Sequence, residues 1–160
     1  FKNILDTNLI GLFRLLKTIF SFSNKPKLII NITSLNGFLS LPNFGLYCAS
    51  KFAMEGLGLA LRYELAPSTK VVNVTPGALF MKSARKLPHK PAREKFPLIN
   101  WIMPLTSPED VSVVIEELIN ASSVPPRVLI GRDAHIINLM QRILPFSVFD
   151  RIVFYIWRKK

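Results

Sequence analysis

Three short runs rich in Ile, Val and Leu, at residues 27–33, 70–75 and 127–131, are separated by longer stretches with helical periodicity. This alternation limits the possible folds more than any other feature. Strands joined through helices need crossover connections, which make neighbouring strands parallel and wind with a right hand. The helices are legible from spacing and punctuation. Residues 3–22 repeat apolar side chains at three- and four-residue intervals and stop before Pro26, and residues 46–66 do the same before Pro67. Ser107-Pro-Glu-Asp110 is a helix start, with a serine cap, a proline in the first turn and acids facing the helix dipole. That helix is expected to reach about Ala121, ahead of Pro125-Pro126. The expected fold class is α/β, a doubly wound parallel sheet.

The 160 residues suit one domain, and 49% apolar content is ample for its core. A single cysteine excludes an internal disulfide and fits a reducing compartment, so a cytoplasmic location is expected. Lys2, Asp6, Arg14 and Lys17 interrupt the first twenty residues, which argues against a signal peptide. No uncharged apolar run reaches the ~20 residues of a membrane span. The net charge of +11 divides as +5 over residues 1–80 and +6 over 81–160. That even spread argues against one nucleic-acid footprint. His89 and His135 have no partners at metal-ligand spacing, so no metal site is expected.

Two segments stand apart. Residues 82–106 are rich in proline and carry six basic residues between Lys82 and Lys95, and they read as a loop insertion. This basic cluster suits either anionic ligands or a solvated loop. Residues 132–160 read as a helical tail. Within it Phe146, Phe149, Ile152, Val153, Ile156 and Trp157 recur at helical spacing ahead of Arg158-Lys-Lys160. Such a stripe suits peripheral membrane contact through residues 144–160, closure over an apolar pocket, or a subunit interface.

The chemistry concentrates at Tyr47-x-x-x-Lys51, with Ser34 thirteen residues before the tyrosine. On a helix, residues i and i+4 share a face, which puts an ammonium beside a phenol. A neighbouring positive charge favours the phenolate and brings the tyrosine toward useful proton exchange at neutral pH. A serine at a strand end can hydrogen-bond a substrate oxygen. The pair by itself is a common coincidence, so its setting matters: an apolar strand, Leu28-Ile-Ile-Asn-Ile-Thr-Ser34, then a loop through Gly37 and Gly45, then a helix opening on Tyr47-Cys-Ala-Ser-Lys51. Cys48 and the Gly56-Leu-Gly58 run are read as packing features of that helix.

In this setting the chain resembles the short-chain dehydrogenase/reductase family. Asn31-Ile-Thr-Ser34 is similar to the family's serine strand and Tyr47 to Lys51 to its Tyr-x-Ala-Ser-Lys signature. Val71-Val-Asn-Val-Thr-Pro76-Gly77 is similar to its next strand and cofactor-contacting Pro-Gly turn, and Asp6-Thr-Asn8-Leu-Ile-Gly11 to its asparagine helix. The resemblance covers residues 1 to about 131. It implies a Rossmann-like fold and hydride transfer between NAD or NADP and an alcohol or ketone, which the Phe- and Leu-rich lid and tail suggest is apolar. It assigns Asn8, Ser34, Tyr47 and Lys51 to catalysis, and Tyr47, Lys51, Pro76, Gly77 and the backbone around Leu79 to the cofactor. Met81 stands where the family usually has a threonine that holds the carboxamide.

No glycine-rich phosphate turn is present in these 160 residues. The expectation is therefore a C-terminal part of one Rossmann domain whose N-terminal strands lie outside the sequence, inactive as an isolated fragment. The residue that chooses NAD over NADP would lie there too. A homo-oligomer is expected. Two other functions fit the sequence: a non-catalytic binding or scaffold protein derived from the family, and a basic membrane-surface module.

Overall fold

A computed structural model describes residues 2–79 and 104–158. Met81, His89 and the Lys82 to Lys95 cluster lie outside the described residues. The chain divides into two compact units, one of Phe1–Thr75 with Val113–Val128, the other of Pro76–Ser112 with Leu129–Lys160.

The first helical stretch is α1 (Lys2–Leu5), a π turn (Asp6–Ile10) and α2 (Gly11–Ser21). The strands are β1 (Leu28–Ile32), β2 (Lys70–Pro76) and β3 (Arg127–Ile130). They form a three-stranded sheet in the order β1-β2-β3. β1 and β2 pair in parallel, Leu28 with Lys70 through Ile32 with Val74. Between β2 and β3, Asn73 N–H donates to the Pro126 carbonyl and Gly77 N–H to that of Ile130. Both strands advance four residues together, as a parallel pair does. The expected parallel α/β sheet is what forms.

β2 is the central strand and is buried from Val71 to Pro76. Its apolar members need only neighbours, but Asn73 and Thr75 need hydrogen-bond partners at full burial. Helix α3 (Gly45–Leu65) supplies several of them. It ends before Ala66, which Pro67 biases toward extended backbone, and Ala66 is extended here. Its buried face carries Cys48, Met54, Glu55 and Gly58, so Cys48 is a packing residue. Arg62 reaches from the last turns to the Val71 carbonyl at 2.7 Å and the Val124 carbonyl at 3.0 Å.

β1 has a single strand neighbour among the described residues. Its open edge borders a groove of about 360 Å³ lined by Leu12, Leu16 and Ile19 of α2 and Leu57 and Leu61 of α3.

Helix α4 (Pro108–Asn120) starts as its sequence implies. Ser107 N–H donates to Asp110 Oδ2 at 2.9 Å, and Asp110 N–H returns a bond to Ser107 Oγ at 3.1 Å. The hydrogen bond from the Ser107 backbone N–H first, and one from the Ser107 side chain second, hold the Asp110 carboxyl below its ordinary value. The tail forms α5 (Arg132–Ile143) and α6 (Phe146–Arg158). Along the apolar stripe of the tail, Phe149 is buried, Ile152, Val153 and Ile156 are half-buried and Phe146 is exposed. Phe146, Val148, Phe154 and Tyr155 are the exposed apolar residues of α6. No helix among the described residues is long and apolar enough to cross a membrane.

Candidate active site

Tyr47 lies in the first turn of α3 and Lys51 one turn later. The Lys51 ammonium stands 5.9 Å from the Tyr47 ring centroid, within reach of a cation–π attraction. It donates to the Ile32 carbonyl, at the end of β1, at 3.3 Å. Burial pushes the lysine below its ordinary value, and the Glu55 carboxylate pulls partly back.

Ser34 follows β1 and caps a short 3₁₀ turn, Leu35–Gly37. Its Oγ accepts the Asn36 N–H at 3.2 Å, a bond that leaves the hydroxyl proton available for another oxygen. The same turn is fastened to α3, because Asn36 Nδ2 donates to Cys48 Sγ at 3.3 Å, next to Tyr47. Asn8 sits in the π turn, where Gly11 N–H reaches back to the Asp6 carbonyl. Single π turns inside helices often mark functional positions. Asn8 Nδ2 donates to Ser50 Oγ at 3.1 Å, and Ser50 O–H donates to the Tyr47 carbonyl at 2.7 Å. Asn8 is thus tied to the tyrosine's backbone through Ser50.

Pro76, Gly77 and Leu79 belong to the second compact unit. Gly77 N–H donates to the Ile130 carbonyl at 2.8 Å and Ala78 N–H to Asp133 Oδ2 at 2.7 Å. A Cβ on Gly77 would lie 1.9 Å from Asp133 Oδ1, so no larger residue fits the turn as built. Leu79 bridges in parallel to Thr106. Among the described residues no cluster of His, Cys, Asp or Glu could hold a metal ion.

The short chain dehydrogenase family model matches residues 1–91, which include Asn8, Ser34, Tyr47, Lys51 and the Pro76-Gly77 turn. The chain belongs to that family. A 3-ketodihydrosphingosine reductase from Bacteroides thetaiotaomicron is 40% identical over 76 residues, covering 46% of this chain and 28% of its own length. A putative oxidoreductase SadH from Mycobacterium tuberculosis is 29% identical over 143 residues, covering 82% of this chain and 51% of its own. A short chain dehydrogenase from Burkholderia cenocepacia, crystallised with NADP, superposes with a TM-score of 0.72 at 19% identity, over 92% of this chain and 58% of that one. The chain thus spans roughly a quarter to a half of these two curated relatives.

Two residues of the candidate site escape a reading by motif. Ser50 lies inside the signature but shows its use only in its bonds to Asn8 and Tyr47. Glu55, four residues after Lys51, falls outside every motif and is buried. A lone acid between Met54 and Leu57 was the available signal.

The lysine's lowered value has a consequence for stability. The unfolded chain binds its lysine proton more tightly than the folded chain does, so deprotonation favours folding. The cost of burying the charged ammonium is present below the folded value and is relieved as pH rises through it. Relative to Lys51→Met, which has no such titration, the wild type should gain stability as pH rises from 7 toward 10. Urea denaturation midpoints of both proteins across that range check this, and a constant difference would contradict it.

Proposed function

We propose that the protein carrying this chain is an NAD(P)-dependent oxidoreductase acting on an apolar ketone or alcohol, with Tyr47 as general acid/base. The observation that carries the reading is the half-buried Lys51 ammonium set one helical turn from the Tyr47 ring and anchored at the strand end that leads into Ser34.

The residues fit a nicotinamide cofactor. Lys51 has three N–H donors and spends one on Ile32, which leaves two for ribose hydroxyls. When bound, the nicotinamide supplies or accepts the hydride, and the protein contributes placement and charge. In the reductive direction Ser34 donates its free hydroxyl proton in a hydrogen bond to the carbonyl oxygen. Tyr47 transfers its phenolic proton to the alkoxide that develops on that oxygen, and the Lys51 charge stabilises the phenolate left behind. Asn8, through Ser50, holds the first turn of α3 that carries the tyrosine. Pro76, Gly77 and Leu79 enter the proposal as cofactor contacts through their match to the family's Pro-Gly turn. The NADP of the Burkholderia neighbour supports NAD or NADP as cofactor. The name of the Bacteroides relative supports a ketone.

The test is titration of the complete gene product with NADH and NADPH, followed by assay with medium-chain ketones for loss of the reduced cofactor. Micromolar binding with turnover is expected. Binding without turnover on any ketone or alcohol would favour a family-derived scaffold, and binding of neither cofactor would remove the oxidoreductase reading.

A further inference from the structure

Glu55 is the only charged residue on the buried face of α3, with a side chain 4% exposed. Its carboxylate is fully engaged. Oε1 accepts the hydroxyls of Thr33, from the residue after β1, and of Thr75 on β2, the latter at 2.8 Å. Oε2 accepts Asn73 Nδ2 at 2.9 Å and both Nε and Nη2 of Arg127 on β3, at 3.0 and 2.9 Å. One side chain on the catalytic helix therefore grips all three strand regions.

The grip falls where the site is assembled. Thr33 lies between Ile32, whose carbonyl anchors Lys51, and Ser34. The turn after Ser34 passes directly over the acid, since a Cβ on Gly37 would meet Glu55 Cγ at 2.7 Å. The same Arg127 guanidinium that pairs with Glu55 lies 5.2 Å from the Phe38 ring, in the same loop. Stability alone gives a poor reason for this arrangement. A buried ion pair costs desolvation that its attraction often fails to exceed, and apolar residues of the same volume commonly serve as well. A directional, fully satisfied network instead fixes the geometry of the parts it joins.

We infer that Glu55 is the positioning residue of the site, holding the β1 end with Ser34, and the Lys51 anchor, in register with Tyr47 on α3. Its catalytic meaning rests on the oxidoreductase reading, but its test does not. Glu55 also places a negative charge one helical turn from Lys51, balanced by Arg127. Among the described residues, the other titratable groups nearby in sequence or on the element packed against α3 are Tyr47 and Cys48 on α3 and Asp6 on the π turn. Near Glu55, β1 and β2 offer only the uncharged Asn31, Thr33, Asn73 and Thr75.

The experiment follows Lys51 itself, by NMR titration of ¹⁵Nζ-labelled lysine in the complete gene product, with the signal assigned by its loss in Lys51→Arg. Glu55→Gln removes the acid and leaves Arg127 unmatched, so the Lys51 midpoint should fall by about one pH unit. Arg127→Gln leaves the acid unmatched and should raise it by a similar ~1 unit. Unfolding would return the lysine to its ordinary, higher value, so a fall in Glu55→Gln cannot come from loss of structure. Should Glu55→Gln not fold, the rise in a folded Arg127→Gln decides alone. An unchanged midpoint in the folded variants overturns the inference, whether or not the wild type turns over a ketone. If it does turn over, Glu55→Gln should also lower kcat about tenfold with cofactor KM little changed.

Discussion

Tyr47→Phe should lower kcat by about 10²–10⁴-fold while leaving the Kd for reduced cofactor within about threefold of wild type. The substitution deletes one oxygen and keeps the ring, so the 5.9 Å approach of the Lys51 ammonium to the aromatic face survives. The bond from Ser50 to the Tyr47 carbonyl and the Asn8 link behind it use backbone and are also untouched. What the proposed mechanism would lose is the acid that protonates the developing alkoxide. Serine cannot replace it, because an aliphatic hydroxyl is a far weaker acid than a phenol. Steady-state kinetics with a fluorescence titration of NADPH separates the two quantities. Retention of wild-type kcat would dismiss Tyr47 as the acid, and loss of cofactor binding with kcat would recast it as a binding residue.

The second large effect is on folding, and its sign is opposite at two neighbouring glycines. In an exposed helix interior, Gly→Ala normally stabilises by about 1 kcal/mol. Gly56 meets that condition, because a Cβ there finds nothing within 4 Å, and Gly56→Ala should gain about 0.5–1 kcal/mol. At Gly58 the same atom would lie 1.9 Å from Asn73 Oδ1 and 2.9 Å from Asn31 Nδ2. Those two amides bond each other at 2.9 Å, and Asn31 also donates to the Met54 carbonyl at 3.0 Å. Asn73 additionally holds the Glu55 carbonyl and carboxylate. A methyl at Gly58 must therefore displace buried polar groups rather than a flexible side-chain end. Overpacking with a broken buried hydrogen bond should cost about 2–4 kcal/mol, well beyond the helix-propensity gain. Urea denaturation of the two variants beside the wild type checks both signs. A stable Gly58→Ala protein would mean that α3 can lift from β1 and β2 without penalty.

These glycines also show how far a linear reading reaches. Gly56-Leu-Gly58 reads as a close-packed helix surface, and that holds for Gly58 but not for Gly56, which is open. Which glycine faces the sheet depends on how α3 is rotated about its axis. The tail behaves similarly. Spacing reads an amphipathic stripe within residues 144–160, yet its members differ in the fold, with Phe149 buried and Phe146 exposed, and Phe154 and Tyr155 outside the stripe are exposed too. Periodicity defines a face and leaves its neighbour undefined.

Local chemistry alone determined the order and type of the elements. β-Branched runs set the three strands, prolines set the C-terminal end of α3 and the start of α4, and the Ser107–Asp110 cap closed on itself. The same is true of Tyr47 and Lys51, because an i, i+4 pair is brought together by the helix that contains it. The tertiary structure decided what depends on partners far along the chain. It fastened the Ser34 turn to Cys48, tied Asn8 to Ser50 across 42 residues, and buried Glu55 against an arginine 72 residues away. It also inserted the π turn at Asn8, which helical spacing in the sequence does not mark. A charged residue is stable inside a protein only when its partners converge on it. That convergence is a property of the folded sheet and helix together, and no window of the sequence contains it.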